Sequence, residues 1–334
     1  MPDAAPVQVI RPREVPLGDS GGTTVRRTLP ARQRSLIGAW CFLDQFGPEE
    51  VGPGGGMRVA PHPHTSLQTV TWLFSGEVEH RDSLGTRMVV RPGQLNLMTA
   101  GRGINHSEYS TGRPHVLHGV QLWTALPAAD RFVAPRFDHY EPPVADLGGH
   151  ELRVFLGELA GASSPVATFS PLVGAEIVLG EGELILDLNL TWEYGILVDS
   201  GAISVDSGTV GEQGTDPDNG TVADTGTIAD TEIGYFAAGR TRLVVRRTEE
   251  GARPTRLVLI GGAPLGERIL MWWNFVGRTH SEVANYQANW QAAIGHADGL
   301  GTNPRQFGPI TPRTDGEAPI PAPPLPHVRL RPRG

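Results

Sequence analysis

Lysine is absent from this chain of 334 residues; arginine carries every basic side chain. The absence reads as the compositional bias of a GC-rich genome. The 28 arginines are outnumbered by 36 acidic residues, for a net charge of −8. An acidic chain without a long basic run does not bind nucleic acid through its own field, so no direct nucleic-acid contact is expected. Cysteine is nearly absent. The single Cys41, in SLIGAWCFLDQFG, excludes an intramolecular disulfide and reads as a small buried thiol. No stretch approaches the ~18 apolar residues of a membrane span. The opening MPDAAPVQVIRPREV has no apolar signal region. A soluble, cytoplasmic monomer without membrane contact is the expectation.

Glycine and proline are abundant, at 43 and 29, which favours many short strands and turns over long helices. Hydrophobic residues make up 39% and charged residues 19%, enough for a packed core. Residues 1–150 hold short apolar or loosely alternating runs such as SLIGAWCFL, LQTVTWLFSG and HVLHGVQLWTAL, cut by glycine and proline. This spacing predicts an all-β barrel or sandwich. DHYEPPVADLGGHE reads as a linker, after which short strands resume and form a second β unit.

Inside that unit, residues 199–231 are of low complexity. Asp-(Ser/Asn/Thr)-Gly-x-(Ile/Val) recurs at Asp199, Asp206, Asp218 and Asp224. The spacing matches no calcium-binding repeat, and an extended hairpin loop is expected. One helix is predicted from the capping-box spacing of Thr279 and Glu282, followed by Val283, Tyr286, Trp290 and Ile294 at helical intervals. Its apolar stripe should dock on a sheet. The last ~30 residues are proline-rich and polyproline-like, and Leu325, Val328 and Leu330 suggest a tail laid across a domain.

Gly18-Asp19-Ser20-Gly21-Gly22 spells the serine-protease signature, but no histidine precedes residue 62 to serve as its base. Turn chemistry explains it.

His62 and His64, each after a proline, begin a strand-like run. Residues two apart share one face of a strand. Proline lacks an N–H, so this strand end must be an edge, a bulge or an entry point. Downstream, MTAGRGINHSEYS places His106 and Glu108 two apart. A strand bearing His-x-Glu beside one bearing His-x-His would converge three imidazoles and a carboxylate, a donor set for one divalent transition metal. Fe, Mn, Co, Ni, Cu and Zn all suit it, and an octahedral ion would keep two positions open. His80, before a turn, reads as exposed; His118 and, less so, His115 could orient a ligand from behind. Met98, Leu73 and Trp123 are candidate walls for an apolar pocket.

Gly56, five residues and then His62-x-His64 resemble the first cupin motif. APHPHTSLQTVTWLFSGEVEHRDSLG, VVRPGQLNLMTAGRGINHSE and HGVQLWTALP resemble the pirin family, as do RTLPARQRSLIGAWCFLDQFGP and GGAPLGERILMWWNFVGRTHSEV. The resemblance implies a bicupin: two antiparallel, jelly-roll-like β-barrels, face to face, with a short C-terminal helix. Residues 1–145 would be the metal-binding cupin and 146–300 a metal-free one carrying the 199–231 insertion. Residues 301–334 would be the tail. It implies His62, His64, His106 and Glu108 as ligands, with Fe(II) as the expected ion. Two departures from the family, at three positions, stand out: Thr65-Ser66 replace the usual Arg-Gly, and Gln68 the usual Glu. The implied activity is that of a flavonol (quercetin) 2,3-dioxygenase, which opens the heterocycle with O₂ and releases carbon monoxide, with Glu108 as base on a small aromatic substrate. Two alternatives are a redox-responsive regulator that binds a protein partner, and a degenerate cupin without activity.

Overall fold

The computed structural model describes residues 7–17, 23–52, 55–111, 113, 115–208, 224–248, 254–296, 301–310, 312 and 317–334. The protease-like signature at 18–22 and the centre of the low-complexity insertion, 209–223, lie outside the described residues. The flanks of that insertion, Ile203–Gly208 and Asp224–Ile228, pair as the two arms of an antiparallel hairpin. The all-β expectation holds, with one α-helix among the described residues.

Two compact units form. One, the histidine-rich unit, comprises Glu14–Arg27, Cys41–Tyr140 and Gly266–Gly334. The other, the histidine-poor unit, comprises Met1–Arg13, Thr28–Trp40 and Glu141–Leu265. A division near residue 145 would leave 266–300 with the histidine-poor unit; the contacts join that segment to the histidine-rich one instead. The reason is an aromatic cluster of Phe275, Tyr286, Trp290 and Phe307, tied by a parallel bridge between Thr65 and Phe275.

The histidine-rich unit has two large sheets and the small hairpin Leu270–Trp272 with Phe275–Gly277. A four-stranded antiparallel sheet runs in the order β1 (Arg58–His64), β4 (Ile104–Ser110), β3 (Val78–Asp82) and Arg87–Val90. The second sheet has seven strands, with β2 (Leu67–Ser75) and β5 (His115–Ala125) paired at its centre. The histidine-poor unit repeats the plan with sheets of seven and four strands. Its interior is filled by Val173, Ala175 and Ile177 on one sheet and Val205, Leu243 and Val245 on the other, among others.

Helix α1 (His280–Ala293) starts where predicted, with the Thr279 hydroxyl accepting from the Glu282 N–H at 3.2 Å. The Glu282 side chain reaches back to the Thr279 backbone as a capping box requires, and it has stronger partners as well. The Glu282 carboxylate also accepts from the Arg278 N–H at 2.7 Å and twice from Arg131, both at 2.8 Å. The charge-assisted bonds to the guanidinium are the stronger ones. Val283, Tyr286 and Trp290 are buried, and the helix packs on the hairpin of Leu270–Trp272 and Phe275–Gly277. The tail does lie on the histidine-rich unit: Leu325 and Leu330 are half-buried, as expected, and the Leu330 N–H donates to His280 Nδ1 at 3.2 Å. Ile320 N–H donates to Pro61 O at 2.9 Å and Ala322 is buried, whereas Val328 is 69% exposed. Cys41 is fully buried, and burial pushes its thiol up to about 12, which keeps it protonated and inert.

Candidate metal centre

β1 is an edge strand of its sheet. In its pairing with β4, His62 stands opposite His106 and His64 opposite Ile104. The register then shifts, so that Glu108 pairs with Val59, and Ala60 and Pro61 together oppose Ser107. This is a β-bulge on the proline that cannot donate to the ladder. The edge and the bulge that the proline demanded are both present.

The pairing brings three imidazoles together. His62, His64 and His106 each offer a ligand nitrogen, all within 4.8 Å of one another. Their ring centroids are 5.0 Å (62–64), 4.3 Å (62–106) and 5.0 Å (64–106) apart. Glu108 is not in that group of atoms; it groups with His106 and His80. It does line the same cavity as the three imidazoles. Its Oε1 accepts from the Thr71 hydroxyl at 3.0 Å, and Thr71 also pairs with Gln121 at 3.0 Å.

The tautomers follow from the partners. His62 Nδ1 faces Ala60 O at 2.9 Å and His64 Nδ1 faces Asn274 O at 3.0 Å. A carbonyl only accepts, so in each ring Nδ1 carries the proton and Nε2 keeps its lone pair. His106 Nε2 is buried and has no hydrogen-bond partner. Such orphaned buried polar atoms are rare in folded proteins and mark a missing partner. Burial, chiefly, pulls His62 down to about 4 and His64 and His106 well below the usual histidine range, with mutual repulsion adding to it. All three are therefore neutral, the form that ligates metal. Burial raises Glu108, against the opposing effects of His80 and of the Thr71 hydrogen bond. The donor set fits a borderline divalent ion.

The cavity beside these groups measures about 310 Å³ and lies between the two sheets. Phe42 and Trp123 stack at 4.0 Å with an interplanar angle of 11°, and Trp123 stands edge-on to His64 at 5.0 Å. Arg27 lies over Phe42 at 4.5 Å and is pinned to the buried Asp44 by two bonds of 2.7 Å. Met57, Leu17 and Ile320 complete the apolar wall. Of the three expected wall residues, Trp123 lines the cavity; Met98 and Leu73 are buried but not on it. Trp273, at φ +51°, forms the turn that delivers Asn274 O to His64. A bulky residue in the left-handed region is strained and persists where the surroundings enforce it.

Sequence reasoning misplaced one histidine. His80 is only 2% exposed; its Nδ1 is 3.3 Å from His106 Nδ1 and its Nε2 3.1 Å from Asp82 Oδ2. The outer position expected of His118 or His115 belongs to His80. His118 stands edge-on to Phe74, and His115 Nδ1 bonds Arg113 O. The signal was present in EHRD, a third pair spaced like His-x-His and His-x-Glu. The two departures from the family pattern sit away from the cavity. Gln68 is buried and satisfied, donating to Thr99 at 2.9 Å and accepting from Thr124 at 3.2 Å. Thr65 is buried at the bridge to Phe275.

Residues 22–124 match the Pirin family and residues 179–294 the Pirin C-terminal cupin domain. A Pseudomonas aeruginosa protein provisionally named quercetin 2,3-dioxygenase is 43% identical over 297 residues, covering 87% of each chain. A pirin-like protein of Caulobacter vibrioides is 34% identical, covering 82% of this chain and 90% of its own. Among solved structures, a quercetin 2,3-dioxygenase from Acinetobacter baumannii superposes with a TM-score of 0.81 at 34% identity, over 97% of this chain and 98% of the other. With these matches and the paired seven- and four-stranded sheets in each unit, the chain belongs to the pirin family and is a bicupin.

Proposed function

We propose that this protein is a metal-dependent dioxygenase, with iron held by His62, His64, His106 and Glu108, that opens a flavonol of the quercetin type with O₂. One observation carries the reading: three neutral imidazoles, one with an orphaned Nε2, line an aromatic-walled cavity of about 310 Å³. The names and likeness of the two quercetin-dioxygenase relatives support the substrate class. A bound ferrous ion would supply a Lewis acid for the ionised substrate hydroxyl and a redox partner for O₂.

The protein's own groups do the rest. Glu108 takes the proton of the 3-hydroxyl at a carboxylate oxygen, leaving the substrate as its anion. Burial raises its pKa, which makes it a stronger base, and the Thr71 hydroxyl fixes its orientation. Trp123, backed by the parallel ring of Phe42, offers a flat face to a flat substrate. Leu17, Met57 and Ile320 exclude water from the reacting atoms.

The test is O₂ uptake and loss of flavonol absorbance by the Fe(II)-loaded protein. Glu108→Gln should lower turnover by about 10²–10⁴-fold. Absence of O₂ uptake across a flavonol panel overturns the enzymatic reading. If Glu108→Ala then still alters capture of a protein partner, a regulatory role replaces it.

A further inference from the structure

Six chemically active side chains share one face of the four-stranded sheet, two from each of three adjacent strands. β1 gives His62 and His64, and β4 gives His106 and Glu108. β3 gives His80, opposite Glu108, and Asp82, opposite His106. The third pair lies off the cavity, which His62, His64, His106 and Glu108 border and His80 does not.

Asp82 is fully buried. Its Oδ1 accepts from the N–H groups of Leu84 at 2.9 Å and Thr86 at 3.1 Å, which closes the hairpin after β3. Its Oδ2 is left facing His80 Nε2 at 3.1 Å. A carboxylate oxygen there calls for a proton on His80 Nε2. In a neutral ring His80 Nδ1 is then an acceptor. The only hydrogen bond consistent with the 3.3 Å approach is donation from His106 Nδ1. That puts the His106 proton on Nδ1 and leaves Nε2 with its lone pair, the atom without a partner. Phe137 lies against the His80 ring at 4.7 Å and holds its plane.

We propose that Asp82 and His80 are positioning residues: a two-step relay that fixes His106 in the Nδ1-protonated tautomer and so presents Nε2 to a metal. His62 and His64 obtain the same tautomer from backbone carbonyls. His106 sits on the middle strand of the three, flanked on both sides by side chains, and obtains it from a carboxylate through a second imidazole. Two imidazole nitrogens 3.3 Å apart could instead share an ion, but the cavity opens on the other side of His106. The relay's consequence for metal affinity rests on the metal reading above; the tautomer does not.

Asp82→Asn separates the two. The carboxamide oxygen in this variant can still accept from Leu84 and Thr86, so the hairpin is kept. The amide NH₂ would face His80 Nε2, reverse the His80 tautomer, and force the His106 proton onto Nε2. In metal-free protein with ¹⁵N-labelled histidine, long-range ¹H–¹⁵N spectra should show His106 protonated at Nδ1 in the wild type and at Nε2 in Asp82→Asn. Co(II) affinity, read against a competing chelator, should fall about 10–100-fold in Asp82→Asn and in His80→Leu, with one ion still bound at saturation. Nε2 protonation in the wild type overturns the relay. So does an unchanged tautomer and affinity in both variants, since a merely structural role would lower the melting temperature alone. Loss of stoichiometric Co(II) on His80→Leu would make His80 a ligand and also overturns it. If the wild type binds no Co(II), the metal reading fails while the tautomer measurement still decides the relay.

Discussion

The two units share one plan, a seven-stranded sheet over a four-stranded one, and differ in what points inward. Ten of the eleven histidines belong to the histidine-rich unit; the other has only His150. There, Val173, Ala175, Ile177, Val205, Leu243 and Val245 meet in a continuous apolar core. In the histidine-rich unit the inner positions of β1 and β4 hold imidazoles and a carboxylate, and an open cavity remains. A barrel interior filled with aliphatic side chains is stable and inert. One lined with neutral polar groups forgoes packing and gains a place for a ligand.

The contrast is sharpest in metal content. His106→Ala should reduce bound metal from one equivalent to background by elemental analysis, because it removes the middle donor. No substitution in the histidine-poor core should change that equivalent; if Leu259→Ala did, the division of labour between the units would fail.

Stability should show the reverse. Leu259→Ala, at a fully buried core position, should cost about 2–5 kcal/mol in urea unfolding. Ile320→Ala, on the cavity rim, should cost less than about 1 kcal/mol.

Acid should act on the histidine-rich unit first. Burial depresses His62 to about 4 from 6.5, so between those values the unfolded chain binds a proton that the folded chain refuses. Stability of the metal-free protein is therefore full above about pH 6.5 and falls as pH drops toward 4, by about 3 kcal/mol for this one group. Hydrogen exchange, corrected for intrinsic rates, should show β1 and β4 losing protection over this range before Leu172–Leu179 does.

The smallest expected effect concerns Thr71→Val. It removes the hydroxyl that lowers Glu108, so the acidic limb of the pH–rate profile should move up. An unmoved limb would separate Glu108 from the proton transfer.

Much of the centre was legible because β-strand geometry is local. A period of two puts His62 with His64 and His106 with Glu108 without knowledge of the fold. The proline in the motif called for an edge, a bulge or an entry point, and the first two are found. Cys41, the helix with its Thr279 cap and the all-β class were legible for the same reason. His80 was misread because a histidine before a turn looks the same whether the hairpin end is buried or exposed. What buries it is the pairing of β3 with β4 and the packing of Phe137, from 57 residues further on. Asn274 could not have been found at all. It acts through its carbonyl, which every residue has, across 210 positions. The tail was read as covering a domain through Leu325, Val328 and Leu330; the two leucines are half-buried, Val328 is exposed, and Ile320 and Ala322 add contacts that depend on where the segment enters.

The sequence by itself determined the candidate donors, their spacing on each strand and the scarcity of histidine in the histidine-poor unit, because these are properties of composition and local periodicity. The tertiary structure alone decided which strands stand side by side, which ring nitrogens are tied up, and that residues 266–334 complete the unit bearing the donors. Those outcomes depend on register and long-range packing, in which side chains far apart in the chain compete for the same buried space.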